Sequence, residues 1–314
     1  MVEVLSLVTN EDAPFFRDQL RGLERLGVSC TVVPVPTNSS TRRSVADYAK
    51  FYGAVLSRIP DSVDLVHANY GLTAPAALAQ PHRPVVLSLW GSDLMGEFSE
   101  LSRWCANRCS EVIVMSDGMA TLLDRESHVI PHGVDLDRFA PRSPAEARAE
   151  LGWPAERPTV LFPYDPDRAV KNVDLAEAVV DVASQRLGES VSLEVVDGLP
   201  HDRMPTYMNA ADALLLTSDR EGSPNVVKEA LACNCPVIAT DVGDVSERVA
   251  GLDYSTVGHE PATLVEALVD VLANRPVREG RSAVESLSLD RTCRRILDVY
   301  DTALDTAEVR QARV

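Results

Sequence analysis

The feature that most constrains this chain is an alternation, played out twice, of short apolar runs with longer amphipathic ones. In the first half, residues 2–8, 29–35, 64–68, 84–89, 111–115 and 128–130 are brief and rich in Val, Ile and Leu. The stretches between them, such as 14–26 and 44–59, are amphipathic. A strand that is apolar on both sides must be covered on both sides, and a helix returning the chain to the same sheet edge makes the sheet parallel. The second half repeats the scheme, with strands at 159–162, 192–196, 213–217 and 236–239 and helices at 173–187, 203–211, 224–232 and 262–273. Residues 137–146 and 152–158 carry the prolines and charges of a connection. The expected fold is α/β, two Rossmann-like doubly wound domains facing a central cleft at the carboxyl ends of their strands, where such sheets bind ligands. The expected division is 1–150, 151–285 and a terminal helix with tail, 286–314, packing back on the body.

Composition narrows the function. A chain of 314 residues suits two domains, at about 150 residues each. Its 47 acidic and 30 basic residues give a net charge of −17, spread along the chain, which disfavours nucleic acid as a partner. Among the basic residues only Lys50, Lys171 and Lys228 are lysines. The acidity reads either as a well-solvated surface or as adaptation to high salt, as in a haloarchaeal protein, although a GC-rich genome also replaces Lys with Arg. The cysteines form no pair of CxxC knuckles, so no metal site is expected. Cys105 and Cys109 fall at i and i+4 of an expected helix, as a core face would. No apolar run approaches a membrane span, and the start lacks a basic segment followed by an apolar one, which points to the cytoplasm. Arg17, Arg21 and Arg25 recur every fourth residue. They read as a solvated face or as a weak peripheral contact with anionic lipid on the inner face of the cell membrane.

The segment from Ser218 to Ala232 carries the chemistry. The strand 213–217 runs into Ser218-Asp219-Arg220-Glu221-Gly222-Ser223-Pro224-Asn225 and then into helix-forming residues. Gly222 allows a sharp turn and a close approach of backbone to ligand, Ser223 suits the N-cap and Pro224 the first helical position. Free N–H groups at a helix start form a diphosphate site. On a helical wheel Val226, Val227, Ala230 and Leu231 share the buried face, and Asn225 and Glu229 lie together on the other side. A carboxylate accepts two hydroxyl hydrogen bonds and so grips a vicinal diol. Glu221 at the loop and Glu229 in the second turn, with a helix start between them, therefore describe a nucleotide-sugar pocket.

Two glutamates separated by seven residues, Glu221-Gly-Ser-Pro-Asn-Val-Val-Lys-Glu229, followed by Pro236-Val-Ile-Ala-Thr-Asp-Val-Gly-Asp244, resemble the signature of the retaining GT-B glycosyltransferases of the group 1 family, the family 4-like enzymes. The resemblance implies that Glu229 binds the donor's ribose, that Glu221 contacts the donor sugar near the reacting face, and that main-chain groups of Gly222, Ser223, Pro224 and Asn225 hold sugar and diphosphate. Residues 160–176 look like the family's segment that brings Arg168 and Lys171 to the donor phosphates. Here the two are only three residues apart, closer than is usual. Cations at that place neutralise charge developing on the departing diphosphate.

In the first half, Asp64-Leu-Val-His67 and Leu89-Trp90-Gly91-Ser92-Asp93 end apolar strands and resemble acceptor-domain segments in which a His-Gly-x-Asp pattern lies near the reaction centre. Trp90 stands where His is usual. It removes an imidazole and offers a ring for stacking on a sugar. His132, in Pro131-His132-Gly133-Val134-Asp135, stands where Asn is usual. The expected catalytic set is thus Glu221, Lys171, Arg168 and Asp93, and the acceptor set Trp90, Gly91, His67 and His132. The activity implied is transfer of a sugar from a nucleotide-diphosphate sugar to a hydroxyl of a glycan or lipid-linked acceptor, with retention and without metal or other cofactor. The alternatives are a nucleotide-sugar epimerase on the same plan and a non-catalytic sugar-binding subunit. A Rossmann oxidoreductase is disfavoured because no G-x-G-x-x-G follows the first strand.

Overall fold

The computed structural model describes residues 2–36, 45–57, 63–80 and 83–311. It divides into two compact units, Met1–Gly133 with Leu289–Val314, and Val134–Ser288.

The first unit is built on a parallel sheet of β1 (Glu3–Val8), β2 (Ser29–Pro34), β3 (Leu65–Asn69), β4 (Val85–Leu89), β5 (Glu111–Val114) and β6 (His128–Val129), in the order β2-β1-β3-β4-β5-β6. Every residue of β3 and β4 is buried, so both faces of these strands are mostly apolar, and their polar members His67, Asn69 and Ser88 are hydrogen-bonded inside. The second sheet holds β7 (Thr159–Phe162), β8 (Ser192–Val195), β9 (Ala213–Leu216), β10 (Val237–Thr240) and β11 (Thr256–Gly258), also parallel, in the order β11-β10-β9-β7-β8. In each sheet the chain winds first to one side and then to the other. The reversal falls between β1 and β3 in the first unit and between β7 and β9 in the second. At such a point the loops leaving neighbouring strands part and open a crevice.

Most elements match their apolar runs closely. β11 escaped the sequence reading because three residues containing Thr256 and Gly258 form no apolar run. The expected helix 44–59 is seen as Val45–Ser57, and positions 44, 58 and 59 lie outside the described residues. Cys109 falls past the end of the helix Ser99–Ala106, yet both it and Cys105 are buried.

The partition differs from the expected 1–150 and 151–285. It falls at Gly133, because the helix Pro144–Leu151 is tied into the second unit through the buried Arg148. That guanidinium donates to the Ala210 carbonyl at 2.9 Å and to Asp212 Oδ2 at 2.7 Å. Of the expected terminal segment 286–314, residues 286–288 close the second unit and the long helix Leu289–Gln311 belongs to the first. Cys293, Ile296, Val299, Tyr300 and Ala303 bury themselves in the first unit's core. Gly22 is required there, since a Cβ would overlap the Cys293 sulfur. Positions 312–314, the end of the expected tail, lie outside the described residues.

No described helix is long and apolar enough to cross a membrane. The arginines at 17, 21 and 25 form an exposed row. Its members pair with Asp12, Asp18 and Asp290 in turn.

His67 is a correction. It sits within β3, wholly buried, with Nδ1 at 2.7 Å from the Tyr300 hydroxyl and Nε2 at 2.8 Å from Ser88 Oγ. Both ring nitrogens are used inside the core, so His67 joins the terminal helix to the sheet instead of lining a cleft. Burial pushes its pKa down to about 3. An unfolded chain takes up this proton below its ordinary value near 6.5 while the folded one does not, so the contribution is complete above pH 6.5 and is lost as pH falls towards 3. Urea unfolding of the parent is expected to lose up to about 2 kcal/mol between pH 6.5 and 5 through this group. His67→Gln should remove that part of the slope, and an unchanged slope would show that the histidine is charged in the fold.

Candidate active site

Two loops of the second unit meet at the carboxyl ends of β7 and β9. After β7 the chain passes Tyr164 and the exposed Arg168 and makes a short helical turn, Ala169–Lys171. Lys171 is buried at 5% exposure. The loop after β9 is fastened to it, because Thr217 Oγ1 donates to the Lys171 carbonyl at 3.0 Å and the Asp219 amide donates to the Val170 carbonyl at 3.0 Å. These bonds bring Lys171 Nζ to 2.5 Å from Glu221 Oε1, and Ser218 Oγ donates to the same oxygen at 2.8 Å. The ammonium also lies 3.6 Å from the centre of the Tyr164 ring. Burial lowers the Lys171 pKa and the Glu221 carboxylate opposes that shift. Oε2 of Glu221 has no partner among the described residues.

The helix Asn225–Ala232 follows. Its N-cap is Pro224, not Ser223, and no side chain caps it. Ser223 turns inward, donating from Oγ to Asp244 Oδ2 at 2.9 Å and accepting from Lys228 Nζ at 3.2 Å. Arg248 Nε reaches the same Asp244 oxygen at 3.0 Å. The Glu221–Gly222 backbone rests directly on Gly243, whose φ is +60° and where a Cβ would lie 2.7 Å from the Gly222 carbonyl oxygen. The start of the helix is therefore held from below by a buried charged cluster and a glycine. Asn225 and Glu229 alone in the first turns are half-buried, as the wheel predicts. Asn225 Oδ1 is shielded and has no partner among the described residues.

Glu229 is met by a residue that sequence reasoning passed over. His201 lies in the turn after β8, and its Nε2 is 2.8 Å from Glu229 Oε1. Its Nδ1 is 3.1 Å from Arg138 Nη1, and Arg138 pairs with Asp135 at 3.3 Å. A Gly-Leu-Pro-His turn just past a parallel strand was the available signal. Tyr164 and Asp244 are further parts of the cluster that no role had been given.

In the first unit the corresponding edge carries rings. Phe15 stacks on His132 with centroids 4.3 Å apart, and Trp90 meets Phe15 edge-on at 4.9 Å and His132 at 5.5 Å. The Trp90 indole N–H is shielded and has no acceptor among the described residues. Tyr70, beside Trp90 at the end of β3, has φ of +127°, a strained conformation for a residue with a side chain. Asp93 is a second correction. Buried at 1% exposure, it accepts from the amides of Trp90 (3.0 Å), Gly91 (2.9 Å) and Gly71 (3.0 Å). Burial raises its pKa while these amides oppose it. It shapes the loop that presents Trp90 and is spent in doing so. Arg168 is exposed and its side chain makes no hydrogen bond or ion pair among the described residues, and its charge acts on both Tyr164 and Lys171, so it stands beside the cluster.

Two Rossmann-like units with acidic and cationic side chains at the crevice of the second sheet define a GT-B glycosyltransferase, and the comparisons agree. The profile described as Glycosyltransferase Family 4 matches residues 2–138, and that described as Glycosyl transferases group 1 matches 174–274. TuaC of Bacillus subtilis, a glycosyltransferase assigned to teichuronic acid biosynthesis, is 27% identical over 301 residues, covering 74% of this chain and 77% of TuaC. The D-inositol 3-phosphate glycosyltransferase of Nocardia farcinica is 30% identical over 285 residues, covering 77% of this chain and 62% of that enzyme. Among solved structures, Anabaena HepE in complex with UDP and glucose superposes with a TM-score of 0.64 at 18% identity, over 99% of this chain and all of that one. The chain belongs to the group 1, family 4 glycosyltransferases, nucleotide-sugar-dependent enzymes of the retaining class.

The buried Lys228 makes the cluster beneath the helix start testable. Burial pushes its pKa down to about 8, against Asp244 and Glu229. Its folded pKa lies below the unfolded one, so the cost of burying the charge is full below pH 8 and is relieved as pH rises towards 10.5. Relative to Lys228→Met, the parent should gain about 2 kcal/mol of unfolding free energy between pH 7 and 9.5. Paired denaturation curves decide it, and a constant difference between the two proteins would remove the buried ammonium.

Proposed function

We propose that the second unit binds a nucleoside-diphosphate sugar, with Glu229 on the ribose diol, the Gly222–Asn225 backbone on diphosphate and sugar, Glu221 on the sugar hydroxyls and Lys171 on the departing diphosphate. The observation that carries this reading is the Lys171–Glu221 pair at the β7/β9 crevice, 2.5 Å apart and almost wholly shielded. Each carboxylate has one oxygen engaged by the protein and a second, Oε2, that is not bonded by any described residue. An ammonium has three donors, so Lys171 can keep Glu221 and still reach phosphate oxygens. Its low exposure strengthens that charge interaction relative to water.

In the reaction the bond from the sugar's C1 to the diphosphate oxygen breaks and a bond from C1 to the acceptor oxygen forms. The leaving diphosphate takes the acceptor's proton, so no separate base is required. Lys171 offsets the negative charge that gathers on the diphosphate as the bond stretches. UDP, named in the HepE structure, is the first nucleotide to test. We assign acceptor recognition to the ring cluster of the first unit, where the half-buried Trp90 stands among Phe15, Tyr70 and His132, rings of the kind that pack on a sugar, as in a glycan or a lipid-linked glycan. We assign the enzyme to the cytoplasm, peripheral on the inner membrane face where the acceptor is lipid-linked.

Release of free nucleotide from a panel of UDP- and GDP-sugars tests the assignment. Lys171→Ala should lower kcat by about 100-fold or more with little change in donor KM, whereas Glu229→Ala should abolish donor binding. A Glu229→Ala protein that binds and turns over donor like the parent would sink the reading.

A further inference from the structure

Resting on the reading of Glu229 as the ribose ligand, we propose that His201 is a positioning residue for that carboxylate, and that Arg138 holds it in a single neutral tautomer. A guanidinium can only donate, so Arg138 Nη1, 3.1 Å from His201 Nδ1, requires a lone pair on that nitrogen. The ring proton is therefore on Nε2, and it is given to Glu229 Oε1 at 2.8 Å. A second proton would have to enter at Nδ1, facing the guanidinium. The contact between His201 and Glu229 is thus a neutral donor on a carboxylate, not an ion pair.

This arrangement suits a diol site. The hydrogen bond stops the carboxylate from turning while leaving its full negative charge for two hydroxyl donors. An imidazolium in the same place would compete with the diol for that charge. Arg138 is itself braced by Asp135 at 3.3 Å, and the His201 ring packs on Phe139 with centroids 5.2 Å apart. The charged and titratable groups at this point are Arg138, with Asp135 paired to it, Asp202 and Arg203 in the ring's own turn, and Glu229, whose charge acts in turn on Tyr164, Lys228 and Cys233. Of these, Arg138 and Glu229 bond the two ring nitrogens.

The probe is UDP-glucose or GDP-mannose, whichever the parent binds more tightly, since neither carries a diphosphate group that titrates between pH 6 and 8. Equilibrium binding to the full chain should change less than about twofold over that range. His201→Phe keeps the ring packing and removes both bonds. It should weaken binding about tenfold, the scale of a lost hydrogen bond to a charged group, with the loss in KM and not in kcat. His201→Gln returns an N–H to Glu229 and should recover most of the affinity. Arg138→Met frees Nδ1 to be protonated, and donor affinity should then fall as pH drops through about 6.5. The proposal is overturned if His201→Phe binds as the parent does while Glu229→Ala does not bind. It is overturned equally if the parent already loses affinity near pH 6.5, or if the Arg138→Met profile stays flat. Unimpaired binding by Glu229→Ala is a different result, and it removes the ribose assignment itself.

Discussion

Everything at the second unit's site depends on one constraint, that neighbouring parallel strands end at the same edge while their loops part at the switch point. β7 and β9 are hydrogen-bonded neighbours although a whole β-strand and two helices separate them in sequence. Their loops would diverge but for the bonds from Thr217 Oγ1 and the Asp219 amide to the turn that carries Lys171. Those neutral bonds precede the ion pair in importance. They fix the backbone so that a buried lysine and a carboxylate can meet without either side chain searching for the other. A buried ion pair is weak evidence for stability, because desolvation consumes much of its Coulomb energy. Its retention at this crevice is better understood as placement of charge.

The same logic runs one level down. Ser223, which a sequence pattern offers as a cap, is drawn into a buried cluster with Asp244, Lys228 and Arg248. The helix start thereby keeps its own N–H groups uncapped by side chains. A serine that capped them would compete with a ligand for those donors. The buttress of Gly243 under Gly222 fixes their height.

How much of this could be read from the residues follows from where the signal is local. The strands were legible because both faces of β3, β4, β7 and β9 are buried, which leaves short runs dominated by apolar residues. The half-buried pair Asn225 and Glu229 was legible because helical periodicity is fixed within one turn. The unit boundary was not, because the helix Pro144–Leu151 is claimed by Arg148 through bonds to residues more than 60 positions away. Nor was His201, whose partners Arg138 and Glu229 lie 63 and 28 positions off. His67 and Asp93 show the reverse error. Each sits at a position with a functional look, and each is consumed by its surroundings: His67 by Tyr300 of a helix that starts more than 200 residues later, Asp93 by three amides of its own neighbourhood.

These placements sort the polar side chains by what remains after the fold has used them. Asp93 has both carboxylate oxygens occupied by backbone amides, and His67 has both ring nitrogens occupied in the core. Glu221 and Glu229 each have one oxygen occupied and one not bonded by any described residue. A fully satisfied buried group rigidifies its loop, and a half-satisfied one at a shielded edge is held in orientation while keeping capacity for a ligand. The Trp90 indole N–H and Asn225 Oδ1 belong with the second kind, one a donor among rings and the other an acceptor beside the helix start. Leaving shielded polar atoms unbonded costs roughly 1–3 kcal/mol apiece. Both lie where the loops of a sheet's carboxyl edge gather, so that cost falls where a bound sugar or nucleotide would return it.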